Sequence, residues 1–274
     1  MAMTISGSIP RPVLLTGAAG TLGTWLREHL ARRPGGLRST DIRAFGPALP
    51  GETIALGDLA DAVAVARLVE GTGAVVHFGA VGVEDSFERI LQSNIVGAQN
   101  VLDAARRHGV KRVVYASSIH TVGFYRTTER IDADAPLRPD SYYAVSKGFG
   151  ENLARLYVEK AGMDIACLRI GLVLPEPQAP RNLWTWLSVP DLCRLVDACL
   201  DAPAFGFSII YGISNNRRSW WDNRKSVVHY HPMDDAERYA GRLMPDGDTR
   251  DPEDPGVKFH GGPFVALALG QRPS

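Results

Sequence analysis

The apolar run Val13-Leu14-Leu15 leads through Thr16 into Gly17-Ala18-Ala19-Gly20-Thr21-Leu22-Gly23, with glycine at three fixed steps. Helical periodicity follows from Leu22 to Leu30. A strand that turns at once into a helix needs residues without side chains at the turn and where the helix crosses the strand. The same geometry aims the N–H groups of the first helical turn, and the positive end of its dipole, at one point. That point suits a pyrophosphate, although so short a pattern also fits a plain tight turn.

The residues beyond the turn support the ligand. A second strand-like run, 37–41, ends in Asp41, at the spacing of a ribose-binding carboxylate. Such a carboxylate accepts hydrogen bonds from both adenosine ribose hydroxyls and repels a 2′-phosphate, which favours NAD over NADP. Arg43, two residues on, leaves NADP open. Asp58 and Leu59, after a third run, are placed at the adenine.

Apolar runs at 13–16, 37–41, 53–56, 74–78, 112–117, 164–170 and 207–213 alternate with helical patterns. One pattern comprises Phe87, Ile90, Leu91, Ile95, Ala98, Val101 and Leu102, read as a single helix face. This alternation predicts an α/β protein with a doubly wound parallel sheet and helices on both faces. The runs 74–78 and 112–116 are almost wholly apolar, as central parallel strands are. Ligand chemistry then belongs at their carboxyl ends, where Gly79-Ala80-Val81 and Ser117-Ser118 fall.

With 274 residues, 45% hydrophobic and 22% charged, the chain can bury a large core, and its formal net charge of zero gives no general field for nucleic acid or anionic lipid. No apolar stretch is long enough to span a bilayer and no signal-peptide pattern opens the chain, so a cytoplasmic enzyme is expected. Cys167, Cys193 and Cys199 are too few and too scattered for a disulfide framework or a metal site, and no metal is expected.

Tyr143 and Lys147 lie four residues apart on a helical stretch. Four residues span about 400°, so both side chains project to one side, a turn apart. An ammonium held there favours phenolate and moves the tyrosine pKa toward working pH, as a general base requires. Tyr142 sits roughly 100° further round from Lys147. Ser118, at a strand end, is placed to orient the reacting oxygen, or else to cap a turn.

These residues carry a likeness. LLTGAAGTLG, VVHFGAVGVEDSFERILQSNIVG, YASSIHTVGFYRTTER, YYAVSKGFGENLARLY, RIGLVLPEP, SWWDN and FHGGPFV resemble segments of the extended-type short-chain dehydrogenase/reductases of the NAD-dependent epimerase/dehydratase superfamily, and most of all the uronate dehydrogenases. The resemblance implies a Rossmann-type sheet with a small C-terminal substrate lobe. It divides the chain into a flexible arm (1–11), a dinucleotide-binding domain with the Ser/Tyr/Lys site (12–170) and a substrate-binding portion with a further strand returning to the sheet (171–274).

The activity implied is NAD-linked oxidation of a sugar acid at its anomeric carbon to an aldonolactone. Ser118, Tyr143 and Lys147 would be catalytic. Gly17, Ala19, Gly20, Thr21, Leu22, Gly23, Asp41, Asp58, Leu59, Phe78, Gly79, Ala80, Asn94, Ser117, Tyr143, Lys147 and Ile170 would line the cofactor. Arg181 matches a carboxylate-binding arginine, and His120 a substrate-contacting histidine. The helical stretches 87–105 and 145–157 resemble those with which relatives form a homodimer.

Three positions depart from that pattern. Gly82, Ile119 and Leu172 stand where the uronate dehydrogenases commonly place polar sugar contacts. Each unpaired buried hydroxyl costs about 1–3 kcal/mol, so a less hydroxylated alcohol, lactol or hydroxy acid stays open as substrate. An epimerase with transient cofactor reduction and a noncatalytic dinucleotide sensor are the rival classes.

Overall fold

The computed structural model describes residues 11–273, so the expected arm, apart from Arg11, lies outside the described residues. Seven strands form one sheet: β1 (Val13–Thr16), β2 (Leu37–Thr40), β3 (Glu52–Ile54), β4 (Ala74–His77), β5 (Arg112–Ser118), β6 (Asp164–Ile170) and β7 (Phe207–Gly212). Their order is β7-β6-β5-β4-β1-β2-β3 and every pairing is parallel. Chain direction across the sheet reverses between β1 and β4, which opens a crevice at their carboxyl ends.

Period-two alternation sends side chains to both faces. Val13, Leu15, Val76, Val114 and Leu168 meet helices α1 (Thr21–Leu30) and α5 (Val189–Asp201). Leu14, Val75, Val113 and Ile165 meet α2 (Ala62–Val69), α3 (Gly97–Arg107) and α4 (Tyr142–Ala161). All residues of β1 and β4 are buried, as strands covered on both faces must be. Residues 171–274 contribute α5 and β7 to this same core and sheet. Pairs of two-residue strands, Leu172–Val173 with Trp186–Leu187 and Ile131–Asp132 with Trp221–Asp222, carry the chain over the site end. Trp184 stacks on Trp220 at 5.7 Å, so much of the tryptophan content is packing.

Three expectations need correction. β2 stops at Thr40 because the Asp41 carboxylate turns back to accept the N–H groups of Ala19 and Arg43, each at 3.0 Å. β3 runs from Glu52 to Ile54 rather than over 53–56, and it begins at a buried carboxylate bonded to the Arg27 guanidinium at 2.7 Å. The stripe from Phe87 to Leu102 is not one face. A helical turn, Phe87–Ile90, passes into a π-helical stretch, Leu91–Val96, before α3. The wider turn shifts the register: Phe87 is 50% exposed and Asn94 is buried.

The glycine turn explains itself sterically. Gly17 has φ +74°, and a Cβ there would lie 2.7 Å from the Phe78 and Gly79 backbone. A Cβ on Gly23 would stand 2.0 Å from the Gly17 carbonyl oxygen. Among the described residues, no helix is long and apolar enough to cross a membrane. Gly23→Ala is expected to cost about 2–3 kcal/mol, since backbone must move to admit one methyl. Denaturant unfolding would read the loss, and NADH titration should show weaker binding in the same variant.

Candidate active site

A cleft of about 690 Å³ opens at the switch point, lined by Gly17, Gly20, Asp41, Asp58, Leu59, Phe78, Gly79, Ala80 and Gly82 among others. Ala19, Thr21, Leu22 and Gly23 complete the turn and the first turn of α1. That helix starts at Gly20 without a side-chain cap and with no acidic residue in its first turn, so its N–H groups are free for an anion. The Thr40 hydroxyl lines the cleft, buried and without a hydrogen-bond partner. Donors at a helix N-terminus, an unspent hydroxyl and the fixed Asp41 carboxylate fit the pyrophosphate and ribose of a dinucleotide. Thr16 Oγ1 pins the far wall, accepting the Gly79 N–H at 2.9 Å and meeting His77 Nδ1 at 2.8 Å.

Five residues expected along the cofactor, Asn94, Ser117, Tyr143, Lys147 and Ile170, are outside the lining of this cleft. Asn94 grips the backbone of Val81, accepting its N–H at 2.8 Å and donating to its carbonyl at 3.0 Å, and also donates to Ser146. Ser117 donates to Glu151 at 2.6 Å. Ile170 is buried in the core on the α1 and α5 face.

Ser118 ends β5, and its hydroxyl accepts the His120 N–H at 3.2 Å, capping the 3-10 turn Ile119–Val122. Tyr143 and Lys147 sit in the first turns of α4, both buried, with Lys147 Nζ 5.7 Å from the Tyr143 ring centroid. Lys147 donates to the Ala116 carbonyl at 2.7 Å. The charges run against the sequence expectation. Burial pushes the Tyr143 phenol up to about 12, with hydrogen bonding toward Ser118 pulling the other way. Burial likewise pushes Lys147 down to about 8. Desolvation outweighs the attraction that the spacing suggested.

Beside this group, His120 Nδ1 meets Asp140 Oδ2 at 2.7 Å, and its ring stacks on Phe264 at 3.9 Å. A carboxylate only accepts, so Nδ1 carries the hydrogen, and Nε2 is the ring atom left for another partner. Gly123 and Gly261 make room for Asp140: a Cβ on either would fall 2.0 Å from its Oδ2. Arg181 lies over the Trp220 ring at 5.2 Å and donates to the carbonyls of Phe259 and His260. Gly82 faces open space, Ile119 is buried with Trp220 and Trp221, and Leu172 is 44% exposed.

Sequence reasoning passed over Glu84, Asp140, Phe264 and Arg272. Glu84 is 1% exposed and accepts the Tyr143 N–H at 2.9 Å. Arg272, far along the chain, lines the dinucleotide cleft and pairs with Asp85 at 2.9 Å. The run FHGGPFV was the available signal for Phe264, since adjacent glycines mark a close backbone approach. Nothing local marks Glu84 or Arg272.

Comparison with known proteins agrees with this geometry. The family model described as "NAD dependent epimerase/dehydratase family" matches residues 13–187. Uronate dehydrogenase of Pseudomonas syringae pv. tomato is 47% identical over 256 residues, which cover 93% of this chain and 93% of the relative. A structure of uronate dehydrogenase from Agrobacterium tumefaciens complexed with NAD superposes with a TM-score of 0.90 at 44% identity, covering 94% of this chain and 98% of the other. A glucuronic acid dehydrogenase from Chromohalobacter salexigens gives a TM-score of 0.91 at 44% identity, covering 94% and 97%. The match spans the glycine turn, the Ser118 strand and the Tyr143 helix, and the chain belongs to the NAD dependent epimerase/dehydratase family.

Proposed function

We propose that this protein oxidises a sugar acid of the galacturonate or glucuronate type at C1, with NAD as hydride acceptor, to give the aldonolactone. The observation that carries the carboxylate is the state of Arg181. Three arginines surround the Trp184 and Trp220 rings. Arg218 pairs with Glu237 at 2.8 Å and Arg250 with Asp248 at 2.6 Å, whereas Arg181 has only carbonyl partners among the described residues. Burial pushes its pKa down to about 10, with the Arg250 charge adding to the effect. An incoming carboxylate would relieve both, pairing with the planar donor fork.

The chain's own groups supply the rest. Ser118 holds the C1 oxygen, Tyr143 takes the proton of its hydroxyl, and His120 offers Nε2 to a neighbouring hydroxyl. The glycine turn and Asp41 would hold NAD, which would supply the hydride acceptor for C1. Lys147 steadies the phenolate and holds the nicotinamide-side ribose. Asn94 and Ser117 support this site from behind, through Val81 and Glu151. Residues 171–274 act as the substrate-binding portion. We assign the protein to the cytoplasm, a reading supported by the free thiols of Cys167, Cys193 and Cys199.

A homodimer is part of the same proposal. Val145, Phe149 and Leu156 on α4, with Phe87, are between 37% and 50% exposed, more apolar surface than a solvated helix face needs. Gly82, Ile119 and Leu172 carry no hydroxyl or amide, which makes a carboxylate with fewer hydroxyls the second reading.

NADH formation with uronates, matching neutral sugars and simpler hydroxy acids tests the function. Arg181→Met should lower kcat/KM for a uronate by about ten- to a hundredfold, the worth of a charge-assisted pair, and leave neutral sugars almost unaffected. Equal turnover of acids and neutral sugars by the unaltered protein would refute the carboxylate assignment. The pH profile has a definite sign. Phenolate beside ammonium has lost one proton from the resting pair, so its population rises about tenfold per pH unit and then levels near the Lys147 value of about 8. A rate that falls between pH 6 and 8 contradicts the Tyr143 assignment. Phe149→Glu is expected to shift sedimentation from dimer to monomer, and unchanged mass would exclude this face as the interface.

A further inference from the structure

Glu84 stands outside the cleft lining, yet it is one of the most deeply buried carboxylates, 1% exposed. Among the described residues it has no cationic partner within ion-pair distance. Its bonds go instead to two backbone N–H groups that are remote from it in sequence. Oε2 accepts from Tyr143 at 2.9 Å and Oε1 from Gly270 at 2.8 Å. Tyr143 lies in the first turn of the 20-residue helix α4, where the Ser141 cap satisfies Ala144 but not Tyr143. A carboxylate there completes the helix start and sits at the positive end of its dipole.

Gly270 has φ +75° and belongs to a tail that also touches the site elsewhere. The Gly261 N–H donates to Gly123 O at 2.8 Å, Phe264 stacks on His120, and Arg272 pairs with Asp85 at 2.9 Å. We propose that Glu84 is a positioning residue for Tyr143, and that its bond to Gly270 makes the seating of the C-terminal tail a condition of that placement. One carboxylate thereby ties the chain beyond Gly262 to the main-chain position of the reacting tyrosine. Glutamine cannot do this, because its amide presents a donor to one of the two N–H groups.

The inference rests on Tyr143 as the reacting group, so Tyr143→Phe is measured alongside. In Glu84→Gln, kcat is expected to fall by on the order of ten- to a hundredfold, as for a small displacement of a reacting group. KM for NAD should stay within about twofold, because Glu84 does not line the cleft, so the loss falls on kcat rather than KM. Faster amide exchange at residues 142–145, read by mass spectrometry, should accompany the loss. Ending the chain at Leu269, which removes the Gly270 N–H and leaves Glu84 in place, should lower kcat in the same way, with Arg272→Ala as the control for the lost Asp85 pair, and the truncated Glu84→Gln chain should lose no more than Glu84→Gln alone. Folded Glu84→Gln with unaltered kcat, or losses that multiply when it is combined with the truncation, would overturn the proposal. Should Glu84→Gln fail to fold, the chain ending at Leu269 decides: unaltered kcat overturns the coupling, and kcat lowered below that of Arg272→Ala supports it. Full activity in Tyr143→Phe would instead sink the underlying reading of the site.

Discussion

The contact between the first strand and the first helix sets the limits for everything around it. Gly23 rests against the Gly17 carbonyl, and Gly17 in turn against the backbone of Phe78 and Gly79, so β1, α1 and the end of β4 meet with no side chain between them. Because these are backbone contacts, no rotamer change can relax them. The helix start therefore stands at a fixed place beside the switch point. Asp41, anchored on the Ala19 N–H, is held in register with it.

Behind the site, a second constraint fixes α4 to the strand ends. Arg169 on β6 forks onto Glu151 of α4 at 3.0 and 2.9 Å and reaches Tyr211 of β7 at 3.0 Å, while Ser117 of β5 donates to the same carboxylate. Such a buried pair is stabilising only when all its hydrogen bonds are made, and here each guanidinium and carboxylate atom named has its partner. Its effect is directional: α4 cannot roll without breaking the network, and the faces bearing Tyr143 and Lys147 stay aimed at the end of β5.

The sequence made legible whatever depends on short-range pattern. The seven strands, the glycine turn, and the one-sided placement of Tyr143 and Lys147 all follow from spacing and periodicity. Interactions between distant segments were not legible. Glu52 fell outside the expected run 53–56 because its partner Arg27 lies in another element, and the π-helical turn at Leu91–Val96 breaks a periodicity that looked continuous. The charge state of the site was misjudged for the same reason. Spacing places an ammonium near a phenol, but it does not report how thoroughly the folded chain removes water from both. Apart from the run FHGGPFV, the tail beyond Trp221 was hard to assign, since its place is set by contacts with Asp85, His120 and Gly123 rather than by local propensity.

The bond between Glu84 and Gly270 has a consequence for biosynthesis. Most of the dinucleotide crevice is built from β1, β2, β4 and the segments that follow them, all of which precede β5 in the chain, whereas Arg272 joins it much later. Gly270 leaves the ribosome after every strand has been made. A growing chain thus carries most of its crevice residues long before Gly270, while the Glu84 carboxylate that accepts the Tyr143 amide is held from both sides only once Gly270 has been translated.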